Sequence, residues 1–347
     1  MSADSPELAS GLPKTAHDAL YSMYATGLAD KIKVIEKNLD PLVPNDKPYV
    51  IRLDGVAFST FTKGIVKPFD VRLTEAMVNT TVDLVQRFNP VLGYTQSDEI
   101  SLVFPATPVS DSVIPEEDED KVDETEGGEG GSNKRRHKAS SKLKKSHNVQ
   151  PQQHMYNGRL QKLASVPASY AAARLNYHLS RANWDDLKEP VRERMLGGAA
   201  FFDGRVVSIP DTETAMECIF WRSNFDGFRN CISTIGNAYF SPKEMHKKGM
   251  KEQLQMLATK NVSPFRDFAP RHLYGTWVKR AQFTLHGFVN PKTGKPVGPV
   301  LRTRVVIGSF NWADYTPEQR VSFTFAKLWP DDGPPKDAIP EKPSANS

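Results

Sequence analysis

Residues Gly93–Phe104 read GYTQSDEISLVF, an alternating run that places two adjacent carboxylates, Asp98 and Glu99, in what reads as one strand ending at Phe104. A half-buried strand normally keeps acids off its centre, so these two call for a reason. Upstream, YVIRLDGVAFSTF (49–61) reads as a strand over Tyr49–Leu53 that turns at Asp54 and Gly55. Between the two lie Leu73, Met77, Val78, Val82 and Val85 at helical spacing, with Asn89 and Pro90 as a stop, so a helix is expected from Leu73 to Phe88. FFDGRVVSIP (201–210) is a further strand candidate and TETAMECIFWRS (212–223) a further helix. The order predicts a mixed α/β (α+β) sheet of split βαβ, ferredoxin-like type.

If the first two strands are antiparallel neighbours, Asp54 and Asp98 meet at one end of the sheet. Carboxylates held that close raise each other's pKa unless a cation intervenes. Mg²⁺ prefers oxygen ligands and commonly takes one or two carboxylates plus substrate phosphates, which suits Asp54, Asp98 and the Gly55 carbonyl. The backbone amides of Val56, Ala57 and Phe58 then face a triphosphate. The competing reading is an acid pair that simply faces water. Arg52 and Lys67 nearby favour the metal and phosphate reading.

Composition bounds the rest. The chain has 347 residues, 39% hydrophobic and 25% charged, enough for one or two folded domains. No apolar run approaches the ~20 residues of a membrane-spanning helix. MSADSPELAS at the start has neither secretory nor mitochondrial character, and Cys218 and Cys231 are too few for a disulfide framework. A cytoplasmic and/or nuclear protein is expected. The net charge of +4 leans mildly toward polyanionic partners.

EEDEDKVDETEGGEGGSNKRRHKASSKLKK (116–145) is an acid block, a glycine hinge and a basic block with almost nothing to bury. The expected division is 1–104 as the first part of the catalytic domain, 105–155 as a disordered insertion, 156–329 as the remainder, and 330–347 as a frayed tail. The basic half of the insertion is open to several readings: a nuclear signal, an RNA contact, a solvated loop that does neither, or a partner for its own acidic half.

RLDGVAFSTFTKGIVKPFD (52–70) followed by GYTQSDEISLVF resembles the tRNA(His) guanylyltransferase superfamily. The second half agrees, in FFDGRVVSIP, in FWRSNFDGFRNCISTIGNAYFSPKEMHKKGMKEQLQML (220–257) and in YGTWVKR (274–280). KPFD, where the histidine-tRNA enzymes carry KPND, and FDGFRNCISTIGNAYF, where they carry HINNLYNT, resemble the guanylyltransferase-like branch associated with 3′-5′ addition and 5′-end repair. The resemblance implies a polymerase-like palm using two Mg²⁺ ions, with GTP and ATP as substrates. It implies Asp54, Asp98 and Gly55 as metal ligands, Glu99 assisting, and Asp54, Gly55, Val56, Ala57, Phe58, Ser59 and Ser97 around the nucleotide. Lys67, Arg159 and Lys162 stand where the family places phosphate contacts, and Arg205 where it places an RNA contact. Asp226, Arg229 and Asn230 replace the histidine-tRNA block and are expected to touch RNA. A tRNA acceptor end as partner, no membrane, and a homotetramer built as a dimer of dimers are also implied.

Val56 departs from the family's usual arginine, which predicts one weakened phosphate or RNA contact. Two other readings stay open: a palm-type nucleotidyl cyclase sharing the paired acids, and a catalytically silent RNA-binding protein.

Overall fold

The acids gather because three strands end side by side. The computed structural model describes residues 27–107, 153–287 and 289–338. Most of the expected insertion, and the expectation of disorder there, lies outside the described residues. After a first helix α1 (Leu28–Asn38), strand β1 (Tyr49–Gly55) runs into a single helical turn α2 (Phe58–Phe61) and then helix α3 (Val71–Phe88). Strands β2 (Leu92–Gln96) and β3 (Glu99–Phe104) follow, then helices α4 (Leu160–Ser180) and α5 (Glu189–Leu196), and strand β4 (Phe202–Ser208). All neighbouring strands pair antiparallel in the order β4-β1-β3-β2, extended on the β2 side by β5 (Thr276–Leu285), β6 (Val300–Gly308) and β7 (Asp337–Ala338). The first four strands are the expected split βαβ arrangement.

Strand alternation sorts the side chains. Tyr49, Ile51 and Leu53 of β1, with Ile100, Leu102 and Phe104 of β3, pack against α3 and α4 through Val82, Val85, Leu175 and Leu179. Each such fully buried side chain stabilises the fold by roughly 1.5–3 kcal/mol. On the other face Val50, Leu92, Tyr94 and Val103 meet helix α6 (Thr212–Trp221) and the aromatic group Trp277, Phe310, Trp312, Phe323 and Trp329. Arg52, Asp54 and Glu99 belong to this second face, at its open end.

Helix α3 begins where its cap dictates. The Asp70 carboxylate accepts from the Arg72 amide at 3.0 Å, and Asn89 closes the helix in the left-handed region at φ 57°. Beyond α6 the chain widens into a π-helical turn, Arg222–Gly227, before α7 (Phe228–Tyr239). Cys231, Ile232 and Ile235 of α7 bury against Leu257 and Leu273, which lie on α9 (Met250–Thr259) and α11 (Pro270–Tyr274), with short helices α8 (Pro242–Met245) and α10 (Pro264–Asp267) between.

Three expectations are corrected. Gly93–Phe104 is a hairpin and not one strand: β2 and β3 are joined by the two-residue turn Ser97–Asp98, with Ser97 at φ 55° and Gln96 opposite Glu99. A turn lacking Gly or Asn gives little sequence signal. Strand β1 continues through Asp54 to Gly55, because β4 pairs with it to the end. The first nine residues of the expected tail are laid on the protein: the Trp329 indole donates to the Pro334 carbonyl at 2.8 Å, and Ala338 pairs with Val306 on β6, beyond α12 (Pro317–Phe325).

Candidate active site

Asp54 stands opposite Glu99 of β3 on one side and Asp203 of β4 on the other. Asp98 occupies the adjoining turn, and its carbonyl accepts the Gly55 amide at 3.0 Å. The pairing expected between Asp54 and Asp98 is therefore strand end against turn, and Glu99 is the true cross-strand partner. A β-carbon on Gly55 would run into the Phe58 ring, so only glycine permits α2 to fold this close to the end of β1.

Two arginines neutralise this end. Arg52 Nη2 lies 2.5 Å from Asp54 Oδ2, and its Nε is 3.0 Å from Glu99 Oε2, at an angle too poor for a hydrogen bond. Arg222 Nη1 reaches Glu99 Oε2 at 3.3 Å and Asp226 Oδ2 at 3.1 Å, and Arg229 continues the chain to Asp226 Oδ1 at 2.6 Å. Burial nevertheless pushes the Glu99 carboxyl above the usual range, against the pull of Arg222 and Arg52. Burial does the same to Asp98, helped by the charge of Asp54 and opposed by the Ser97 hydroxyl. Glu99 Oε1 and Asp203 Oδ1 are buried with no hydrogen-bond partner. Buried, under-compensated oxygens are what an incoming cation relieves.

Arg222 and Asp203 were not among the residues expected. Arg222 precedes Asp226 by one helical turn, a spacing visible in FWRSNFDG. Asp203 repeats the Asp-Gly of β1, since FFDGR and RLDGV carry the same pair on neighbouring strands.

A cleft of about 550 Å³ opens beside the acids. Asp54, Phe58, Ser59, Lys67, Ser97, Asp98, Glu99, Asp226 and Asn230 all line it, so the structure brings most of the expected site residues into one space. Helix α7 adds a polar stripe to its lining, Asn230, Thr234 and Asn237 at a spacing of four and three residues, and Arg271 lines it as well. The π-helical turn approaches β2 so tightly that a β-carbon on Gly227 would fall on the Gln96 side chain. Gln96 in turn donates to the carbonyls of His272 and Leu273 at 2.9 and 3.1 Å. The His272 ring stacks on Phe69 at 4.2 Å, and burial, with the charge of Arg271 adding, holds its pKa down to about 4.

Several expectations differ in place. The Val56 amide is spent on the Phe201 carbonyl at 3.0 Å, and Gly55, Val56 and Ala57 do not line the cleft. Ala57, at φ 53°, starts the turn from which the Phe58 and Ser59 side chains enter it. Arg159 and Lys162 also stay outside the cleft: Arg159 Nε binds Asp40 Oδ2 at 2.6 Å, and both lie near the start of α4, whose other end carries Asn176 to Ala200 beside the acids. The antiparallel run of β4 along α4 sets that separation, which GRLQK alone does not reveal. Arg205 is exposed on β4, opposite Arg52 and paired with Asp203 at 2.9 Å. Arg229 does not line the cleft, whereas Asp226 and Asn230 do, together with Ser59 and Lys67.

Among the described residues no three His, Cys, Asp or Glu side chains stand ready as a metal cage. Magnesium does not require one, because phosphate and water oxygens complete its shell. The donor set fits: Asp54 and Asp98 on adjoining stretches of backbone, oxygen-only, beside the uncompensated Glu99 oxygen. Among the described residues no helix is long and apolar enough to cross a membrane.

The family model for tRNAHis guanylyltransferase matches residues 29–210, slightly more than half of the chain. Over 258 residues the chain is 28% identical to the uncharacterized protein R259 of Acanthamoeba polyphaga mimivirus, covering 73% of this chain and 77% of the relative. A bacterial tRNA(His) guanylyltransferase (Thg1)-like protein solved in complex with ATP matches at 27% identity with a TM-score of 0.53, over 73% of this chain and 88% of that one. Another such bacterial structure, in complex with GTP, shares the fold at 24% identity with a TM-score of 0.54, over 85% and 99% of the two chains. The chain belongs to the tRNAHis guanylyltransferase family and is a nucleotidyltransferase of that type.

Proposed function

We propose that this protein adds nucleotides to the 5′ end of tRNA in the 3′-5′ direction, in the manner of the guanylyltransferase-like repair branch. One observation carries the reading: Asp54, Asp98 and Glu99 meet at the open end of a split βαβ sheet and face a 550 Å³ cleft that Lys67 and a polar stripe of α7 also line. Asp54, Asp98 and the Gly55 carbonyl would hold Mg²⁺, with Glu99 beside them. Bound there, two such ions lower the pKa of an attacking 3′-hydroxyl and stabilise departing pyrophosphate.

The chain's own residues do the rest. Lys67 and the Ser59 and Ser97 hydroxyls offer donors to a triphosphate on the acid side of the cleft. Arg52 holds Asp54 in place through their ion pair, and Arg222 does so for Glu99 and Asp226. Asn230, Thr234 and Asn237 present donors and acceptors to a base or ribose edge opposite. Selection among nucleotides is expected to fall to pairing with the 3′ strand of the RNA. GTP and ATP are the expected nucleotides, as extending and activating substrates. Self-association, expected as a tetramer, has a ready face in α1 and its last cap residue, where Leu28, Ile32, Ile35 and Leu39 are all exposed.

The test is nucleotide addition to 5′-truncated and full-length tRNAs with Mg²⁺ and labelled GTP or ATP. Restoration of missing 5′ nucleotides that follows the opposing base supports the reading. Preferred addition of one G to full-length tRNA(His), whatever the opposing base, would return the chain to dedicated guanylyltransferases. Pyrophosphate release without RNA would indicate a cyclase.

A further inference from the structure

Beyond the cleft, and outside the residues matched by the family model, β5 and β6 leave the sheet as a two-stranded ribbon. Strand β2 pairs with β5 only at Thr276–Val278, and β7 meets β6 only at Val306 and Ile307. Among the described residues between Ala281 and Arg304, the strands have only each other, through Leu285 opposite Val300. An isolated ribbon is marginal in water, so one kept this long points to a partner.

Its chemistry names that partner. From Phe268 to Ala313 the sequence holds seven Lys and Arg and not one Asp or Glu. Lys279 and Arg280 are turned into the fold, binding the carbonyls of Val91 and Val85 at 2.6 Å each. Lys292, Lys295, Arg302 and Arg304 are exposed on the ribbon, and none of them makes an ion pair among the described residues. Arg52, Arg72, Arg159, Arg174, Arg205 and Arg222, by contrast, are all paired with carboxylates. Arg304 also lies 4.9 Å over the Phe283 ring, which stiffens its placement. Four unpaired cations on a protruding ribbon match the phosphate backbone of a nucleic acid.

We propose that this ribbon is an RNA-binding arm that grips the substrate's backbone well away from its 5′ end. Thr276 lines the cleft, and Leu285 is nine residues further along an extended strand, on the order of 30 Å at ~3.3 Å per residue. An RNA whose end enters the cleft is therefore held at two separated places. The arm reads phosphate and shape, not base identity, in keeping with recognition of double-helical RNA. The inference rests on the proposed use of RNA, but its readout is binding and not turnover.

The experiment compares wild type with Lys292→Gln/Lys295→Gln/Arg302→Gln/Arg304→Gln and with the tip pair Lys292→Gln/Lys295→Gln alone. Binding of a labelled tRNA is measured by anisotropy across salt concentrations, with GTP binding and circular dichroism on the same samples. Each phosphate that the arm no longer neutralises is expected to lower the slope of log K against log salt by roughly 0.7–0.9, so the fourfold variant loses about three units of slope and ~10–100-fold in affinity at low salt. The tip pair shows about half of that, while GTP affinity is unchanged. A short RNA hairpin that cannot span the distance should bind all three proteins alike.

Unchanged tRNA affinity and slope in the fourfold variant overturns the proposal. So does an altered oligomeric state by light scattering with tRNA binding intact, which would make the ribbon a self-interface. Arm-dependent binding without nucleotide addition would reject the transferase reading and keep the arm; addition without arm dependence does the reverse.

Discussion

Lys279 gives the sharpest quantitative handle on this fold. It lies on β5 and is fully buried; its ammonium donates to the Val91 carbonyl at 2.6 Å and the Thr324 carbonyl at 3.3 Å, over the Phe323 ring at 5.4 Å. No carboxylate accompanies it in those bonds. Burial brings its pKa from the usual 10.5 down to about 7. Because the folded pKa lies below the unfolded one, the unfolded chain binds the extra proton throughout pH 7–10.5, and stability rises with pH across that window. The slope approaches ~1.4 kcal/mol per pH unit, giving a penalty of about 4 kcal/mol at pH 7 and about 2 kcal/mol at pH 9.

Lys279→Met keeps the length of the side chain and removes the charge. It also forfeits two bonds to carbonyls, at ~1 kcal/mol each. The variant is expected to be about 2 kcal/mol more stable than wild type at pH 7 and about equal to it near pH 9. Urea unfolding of both proteins at the two pH values measures this, and all other titrating groups cancel in the difference. A gap between variant and wild type that does not change from pH 7 to pH 9 refutes the argument.

At the site, Asp54→Asn and Asp98→Asn should each leave below about 1% of nucleotide addition, since each removes a charged oxygen where metal would be held; activity well above that in both variants sinks the metal assignment. Asp98→Asn should melt at higher temperature than wild type in chelator at pH 8. Burial raises the folded pKa of Asp98, so its charged form weakens the fold as pH climbs through that value, and the advantage should vanish at pH below the ordinary carboxylate range. Arg222→Met strands Glu99 and Asp226 without their shared cation and should cost about 3 kcal/mol in urea unfolding, with Glu99→Gln/Asp226→Asn restoring part of it. Single and triple variants of equal stability would show that Arg222 carries no structural charge role.

What the sequence made legible is what local rules decide. Strand β1, helix α3 between Asp70 and Asn89, and the acid end all follow from alternation, helical spacing and capping, and they emerge nearly where expected. The hairpin in GYTQSDEISLVF was hidden because Ser97 takes the left-handed conformation without the Gly or Asn that advertises it. That one turn changes the chemistry. It moves Asp98 out of the ladder to the rim beside the Gly55 amide, and leaves Glu99 as the residue facing Asp54. Non-local choices were equally invisible: Arg159 follows the insertion in sequence, yet Asp40 claims it at the far end of α4.

The charge arrangement shows why such details matter. Asp54, Arg52, Glu99, Arg222, Asp226 and Arg229 form one line of alternating charge from the sheet to α7, with Asp98 set beside it. Along that line four carboxylates meet three guanidiniums, while Lys67 and Arg271 line the same cleft and make no ion pair among the described residues. The acid row by itself would repel a bare triphosphate and favour one that arrives with divalent ions, with Lys67 left free to meet its phosphates. The arginines hold the acids in line one by one, and under the proposed mechanism divalent ions carried by the nucleotide would supply the charge that this row lacks.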